Sequence, residues 1–215
     1  MKKSRLTLAS ILFTVVLILW PLLVMFSLPE GSNYVQQFKS ISETIHLYIL
    51  NFMVAFLVAP AMIFMLYEFY IAVSGKKWNF IAKTGFILYG LYFVLVNISY
   101  GSQFLYLPFI INSYDTTETL KWYFYNDNSL AIFFNQTGYL VWSIATLTVF
   151  IKYLFKSTLI FFIIKILSLS ALTQIVATIG LYLNKAELSS LTFYSGILLF
   201  PACILIFIVS LNKKT

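Results

Sequence analysis

Apolar residues fall into six long blocks separated by short polar segments. The blocks cover approximately residues 6–26, 47–72, 80–103, 129–151, 158–183 and 191–211. A helix needs about 20 mainly apolar residues to cross the hydrocarbon core of a bilayer, and each block reaches that length. The pattern predicts a single domain, residues 1–215, that is an all-α integral membrane protein folded as a six-transmembrane-helix bundle.

Composition supports a membrane environment and argues against nucleic-acid binding. The chain is 61% hydrophobic and 10% charged, whereas soluble domains carry roughly 25% charged residues. The net charge of +7 does not indicate nucleic acid as a partner, because the basic residues stand at the ends of apolar blocks rather than in a basic stripe. The first block is longer than the apolar core of a signal peptide and is interpreted as a retained span.

The basic residues predict the orientation of the bundle. Cytoplasmic segments of membrane proteins carry an excess of Lys and Arg. With both termini in the cytoplasm, ten basic residues lie inside, and the outer loops hold only Lys39, Lys121 and Lys185. Every acidic residue except Glu68 is then outside. We expect a multi-pass protein of a plasma membrane, of prokaryotic type, with the lipid bilayer as its first partner.

The residue patterns of two outer loops predict local structure. Residues 27–46 place Tyr34, Phe38, Ile41 and Ile45 at helical spacing, which favours a short helix lying on the outer surface. The segment 104–128 is rich in aromatic residues. Such residues either form a belt at the level of the lipid headgroups, the interpretation we favour, or make a lid over an outward-facing cavity.

Polar side chains inside the spans concentrate in the outer half. The candidate ligand-binding residues are Asn51, Asn97, Tyr100, Gln103, Asn135, Gln136 and Gln174. Amides and hydroxyls donate and accept hydrogen bonds without net charge, which suits a small neutral or zwitterionic ligand. Each amide taken singly is more often a structural hydrogen bond between helices. The cluster as a whole favours the two interpretations about equally.

The inner half holds two ionisable residues inside spans. Glu68 lies about one turn from the cytoplasmic end of the second span, and Lys165 about two turns inside the fifth. Compatible depths make an inner ion pair between Glu68 and Lys165 one interpretation. The other is that each side chain extends to the headgroup boundary.

Catalytic, metal and cofactor sites are not expected. His46 is the single histidine and Cys203 the single cysteine, so a His-based zinc site and a bis-His haem are excluded within one chain. The chain has no phosphate-binding Gly-rich loop, and no GxSxG context surrounds Ser102 or Ser195. We therefore predict that the protein is not an enzyme and has no cofactor.

Six spans, a cytoplasmic N-terminus and a polar outer half resemble the substrate-binding subunits of energy-coupling-factor vitamin transporters. The resemblance is architectural and implies binding of a small molecule. Those subunits carry an AxxxA face on the first span, whereas Phe13 follows Ala9 at that spacing here. Two functions follow from the sequence. One is binding or transport of a small-molecule ligand. The alternative is a non-catalytic regulatory, immunity or assembly subunit that contacts a membrane-protein partner, or a homo-oligomer, through its amide-rich faces.

Overall fold

The computed structural model describes residues 3–75, 77–111, 116–154 and 159–212. Within these ranges the chain forms ten α-helices and no strand. Six helices are long and apolar enough to span a membrane, namely α1 (Lys3–Ser27), α3 (Ile45–Ser74), α4 (Phe80–Leu105), α7 (Leu130–Phe150), α8 (Leu159–Tyr182) and α10 (Leu191–Asn212). They coincide with the six apolar blocks, so the predicted all-α bundle of six spans is confirmed.

Four short helices lie in the connections: α2 (Tyr34–Glu43), α5 (Leu107–Ile110), α6 (Thr116–Trp122) and α9 (Ala186–Ser189). We call the end of the bundle that carries them the outer end, following the predicted orientation. Helix α2 is the short helix expected in residues 27–46. The Asn33 side chain begins it by accepting a hydrogen bond from the Gln36 backbone N–H at 3.0 Å, as N-cap residues do. Ile41 anchors it and is 1% exposed.

The spanning helices form a closed ring in chain order. Each packs against the spans before and after it, and α1 packs against α10. Every helix contributes side chains to the core, including Phe13, Phe69, Tyr92, Trp142, Leu167 and Ile206. The outward faces carry exposed apolar residues such as Leu12, Ile87 and Phe162, as contact with lipid requires.

Two glycines bring α4 and α7 close together. A Cβ on Gly138 would lie 2.5 Å from Cγ2 of Val96, and one on Gly85 would overlap the side chain of Val149. Small residues allow close backbone approach, which is a main source of helix association in lipid. Gly138 therefore serves the packing of these two helices.

Every pair of neighbouring spans shares at least one polar side-chain contact. In ring order these are Arg5–Glu68 (3.9 Å), Tyr48–Gln103 (2.8 Å), Tyr89–Thr146 (3.0 Å), Gln136–Gln174 (3.2 Å), Ser170 to the Ser195 carbonyl (2.8 Å) and Thr7–Ser210 (3.1 Å). Interhelical hydrogen bonds in membranes contribute about 0.6–2 kcal/mol each. Polar pairing thus joins all six neighbours around the ring.

The orientation can be tested by cysteine labelling. In a Cys203→Ala background, which removes the buried native thiol, we expect Asp127→Cys at the outer end to react with a membrane-impermeant maleimide on intact cells. Lys77→Cys at the other end should react only after permeabilisation, because basic loops remain in the cytoplasm. Both native side chains are exposed, so burial does not limit either reaction. The opposite labelling pattern would show that the orientation is the reverse of the predicted one.

Candidate functional site

The seven residues predicted to bind a ligand lie in the outer half of the ring, on four helices. Asn51 is on α3, Gln174 is on α8, and the others are on α4 and α7. All are buried except Gln136, which is half-buried. Their side chains divide into two groups: those that form hydrogen bonds within the chain and those that do not.

Gln103 belongs to the first group and holds the outer cap of the bundle. Its Oε1 accepts hydrogen bonds from the Tyr48 hydroxyl at 2.8 Å and the Phe124 backbone N–H at 3.2 Å. Its Nε2 donates to the Trp122 carbonyl at 2.7 Å and to the Ser102 hydroxyl at 2.8 Å. The amide thus joins α3 and α4 to the connection before α7. These contacts support a structural role for Gln103.

The cap that Gln103 holds is aromatic and closes the outer mouth of the ring. Phe124 packs on Phe52 and Tyr100, with ring centroids 5.2 and 5.8 Å apart. Tyr123 donates a hydrogen bond to Gln37 of α2 at 2.9 Å. Burial raises the pKa of Tyr125 to about 12.

The aromatic segment 104–128 therefore does two things. Residues 123–125 pack over the outer end of the ring against α2, α3 and α4, and a lid over a cavity stays a prediction. Tyr106 and Phe109 are exposed, 40% and 77% respectively, as a belt at the headgroup level would require. Tyr114, which the sequence grouped with them, lies outside the described residues.

Two further predicted residues pair across α7 and α8. Gln174 donates from Nε2 to Gln136 Oε1 at 3.2 Å and to the Thr178 hydroxyl at 3.3 Å. Tyr100, nearer the middle of the ring, lies 3.3 Å from Tyr139 between hydroxyl oxygens. Its ring also contacts Trp20 of α1 at a centroid distance of 5.8 Å. Tyr100 thus connects helices that are not neighbours in the ring.

The second group consists of three asparagines. Among the residues that the structure describes, the side-chain amides of Asn51 and Asn97 have no hydrogen-bond partner, and neither does the amide oxygen of Asn135. The three residues are 1%, 8% and 6% exposed. An unpaired buried polar group costs about 1–3 kcal/mol, and a buried amide without a partner is unusual enough to require an explanation. These amides are the strongest candidates for contact with a polar molecule.

Five polar groups that sequence reasoning missed share this property. Their polar atoms are buried and lack a hydrogen-bond partner within the described part of the chain, and they are the indole N–H of Trp142 and the hydroxyls of Ser27, Ser74, Tyr92 and Ser168. Trp142 follows Asn135 by seven residues, so both lie on the same face of α7. That spacing was visible in the sequence. A hydrophobicity pattern counts tryptophan as an apolar core residue and therefore does not indicate Trp142, although a buried indole N–H normally has a hydrogen-bond partner.

Of the two interpretations of Glu68 and Lys165, the ion pair between them is not the contact that Glu68 makes, because Arg5 is its partner. Glu68 is 3% exposed, and its Oε1 lies 3.9 Å from Arg5 Nη1 of α1. The Lys165 side chain faces outward, with its ammonium 4.2 Å from the centroid of the Phe161 ring on its own helix. The rotation of α8 directs Lys165 away from the core. The first helix supplies the partner instead.

A cleft of about 420 Å³ opens at the outer end between α7 and α8. Its lining comes from the connection that precedes α7 and the first turn of that helix, and from the end of α8 with α9. Its lining residues include Ile132 and Tyr182. Gln136 lies one helical turn below Ile132, and Gln174 two turns below Tyr182. The cleft therefore stands directly above the amide pair that joins the two helices.

Comparisons with protein-family models, with curated proteins and with solved structures give no match. Within the chain itself, two amides of α4 contrast: Gln103 has several hydrogen-bond partners, and Asn97 has none among the described residues.

That contrast predicts opposite responses to apolar substitution. Gln103→Met should lower the free energy of unfolding by about 2–4 kcal/mol, because it leaves several buried partners unpaired. Asn97→Leu should leave stability unchanged or raise it by about 1 kcal/mol, since it removes a polar group that has no partner. Unfolding of the two variants in mixed micelles would measure both values. Equal losses would show that Asn97 is a structural hydrogen-bonding residue.

Proposed function

We propose that this polytopic membrane protein binds and carries a small neutral or zwitterionic molecule in the outer half of its bundle. We place it in the plasma membrane of a prokaryotic cell, in line with the asymmetric distribution of its basic residues. The role is one of binding rather than catalysis. The observation that supports it most directly is the burial of the Asn51 and Asn97 amides and of the Asn135 amide oxygen without partners among the described residues.

The chemistry of the three amides defines the ligand class. Each amide offers two N–H donors and a carbonyl acceptor, and none adds a charge. Buried donors and acceptors of this kind select strongly for a molecule that completes their hydrogen bonds, because an analogue lacking those groups leaves them unpaired. Tyr100 and Tyr139 add hydroxyls at the same end of the ring. A compact solute with several hydrogen-bonding atoms suits this lining.

The burial of these amides also bears on the alternative, a regulatory, immunity or assembly subunit. That function requires amide-rich helix faces on the lipid-exposed surface, where a partner's helix could reach them. Asn51, Asn97 and Asn135 instead lie inside the chain's own fold. A membrane-protein partner could reach them only if the ring opened. The positions of the amides therefore favour a ligand small enough to enter the bundle.

A ligand screen with matched variants tests the proposal. Purified protein in lipid nanodiscs would be screened by thermal unfolding against neutral polar and zwitterionic solutes. A true ligand at 100 times its dissociation constant should stabilise the wild type by about 2.7 kcal/mol. We expect this stabilisation to disappear in Asn97→Leu and Asn135→Leu, although both variants fold.

The control for this screen is Thr173→Val. The Thr173 hydroxyl bonds to the Leu169 carbonyl of its own helix at 2.7 Å, so its removal changes polarity without touching the three amides. The control should keep the full response to the ligand. A ligand that stabilises all three variants as well as the wild type would contradict a site at the asparagines.

A further inference from the structure

The cleft above α7 and α8 carries one charge of each sign. Asp127 lines it from the connection before α7, and Lys185 lines it from the turn after α8. Both side chains are exposed. The ion pairs among the described residues are Arg5–Glu68, Lys39–Glu43 and Glu118–Lys121, so Asp127 and Lys185 are not paired with each other or with another described residue. Opposite charges thus face one cleft without neutralising each other.

The turn that presents Lys185 has a defined backbone. Asn184 adopts a left-handed conformation with φ of 53°, which asparagine tolerates better than most residues. The Lys185 N–H donates to the Gly180 carbonyl at 2.8 Å, and the Asn184 N–H to the Leu181 carbonyl at 3.0 Å. These are the two hydrogen bonds of a Schellman motif, which ends a helix at a fixed angle. The position of Lys185 beside the cleft is therefore set by the end of α8.

The opposite wall is held in a similar way. The Asn126 side chain donates to the Leu120 carbonyl at 2.8 Å and accepts from the Asn128 N–H at 3.2 Å. The Ser129 hydroxyl accepts from the Ile132 N–H at 3.2 Å and begins α7. Asp127 lies between Asn126 and Ser129, which both form these hydrogen bonds. Asp127 and Lys185 are thus both held by hydrogen-bonded backbone.

Polar side chains continue inward below the cleft along the contact between α7 and α8. The Thr137 and Tyr182 hydroxyls form a hydrogen bond at 2.7 Å. One turn below Tyr182 on α8 is Thr178, which takes part in the Gln174–Gln136 contacts. Because helical positions four apart share a face, these groups form a continuous polar seam. It runs from the cleft to the depth of the buried asparagines.

We propose that this cleft is the capture site for a zwitterion, with Asp127 binding its ammonium group and Lys185 its acidic group. The inference rests on the proposed function and narrows it to zwitterionic ligands. The Thr137–Tyr182 hydrogen bond is the outermost contact of the seam, and a captured molecule passes it by exchanging that contact for its own. The same chemistry is present in a free amino acid and in an ethanolamine phospholipid headgroup, and both can reach the outer membrane surface.

Binding of a graded series of probes tests the capture site. The probes are glycine, β-alanine, γ-aminobutyrate and glycerophosphoethanolamine, added to protein in nanodiscs of phosphatidylglycerol, which contain no zwitterionic lipid. At least one should bind, and Asp127→Asn and Lys185→Gln should each weaken its binding by up to about fivefold, as expected for exposed charge pairs. Added salt should weaken binding further. Exchange of the two charges in Asp127→Lys with Lys185→Asp should restore affinity.

The matched control is Glu187→Gln, an exposed acid of α9 that does not line the cleft. It should bind like the wild type. Two results together support capture of a lipid headgroup. Glycerophosphoethanolamine is the only probe that binds, and in nanodiscs containing phosphatidylethanolamine the same two variants bind this lipid more weakly than the wild type does. Binding of the amino acids supports a free solute. Failure of every probe to bind, or binding that Asp127→Asn and Lys185→Gln leave unchanged, would overturn the capture site.

Asn97→Leu separates this inference from the function on which it rests. If Asn97→Leu abolishes binding while the Asp127 and Lys185 variants bind normally, the site at the buried asparagines is supported and the capture site is overturned. If the Asp127 and Lys185 variants lose binding while Asn97→Leu does not, the capture site is supported and the site at the asparagines is contradicted.

Discussion

Polar groups surrounded by hydrocarbon must find partners, and the packing of this bundle depends on that requirement. Between helices in lipid there is no gain from moving apolar side chains out of water, so association relies on close packing and interhelical hydrogen bonds. The ring shows both, with Gly138 admitting Val96 between α4 and α7 and with a polar contact between each pair of neighbouring spans. The reciprocal Ser170–Ser195 hydrogen bonds join α8 to α10.

The same requirement makes the buried amides that lack partners unexpected. If all of the amides served to join helices, each would resemble Gln103, whose oxygen and nitrogen both form hydrogen bonds. Asn51 and Asn97 lie farther from the outer end and have no such bonds among the described residues. Two populations of amides therefore coexist in the outer half. One population holds the cap and the ring together, and the other has no hydrogen-bond partner among the described residues.

Much of the architecture could be predicted from the sequence, because span length and apolar content are properties of single segments. Helix α2 could be predicted for the same reason, from the spacing of Tyr34, Phe38 and Ile41. The partner of Glu68 could not, because depth along the bilayer does not determine the rotation of a helix. That rotation directs Lys165 outward and leaves Arg5 beside Glu68.

Which amides have hydrogen-bond partners could not be predicted from the sequence either. Gln103 and Asn97 are six residues apart on one helix and have similar chemistry. The difference arises from Tyr48, Trp122 and Phe124, which come from other parts of the chain and meet only at Gln103. The cleft is also a product of distant segments, since its walls come from the beginning of α7 and the end of α8.

Nuclear magnetic resonance of the side-chain amides would test the central claim most directly. Protein in nanodiscs, labelled with ¹⁵N in Asn and Gln side chains, would be examined for proton exchange and cross-relaxation with water or an added ligand. The account predicts that the NH₂ group of Asn97 contacts water or ligand, whereas that of Gln103 is protected by its hydrogen bonds. Equal protection of both amides, with no contact from water or ligand at Asn97, would contradict a polar site in the outer half of the bundle.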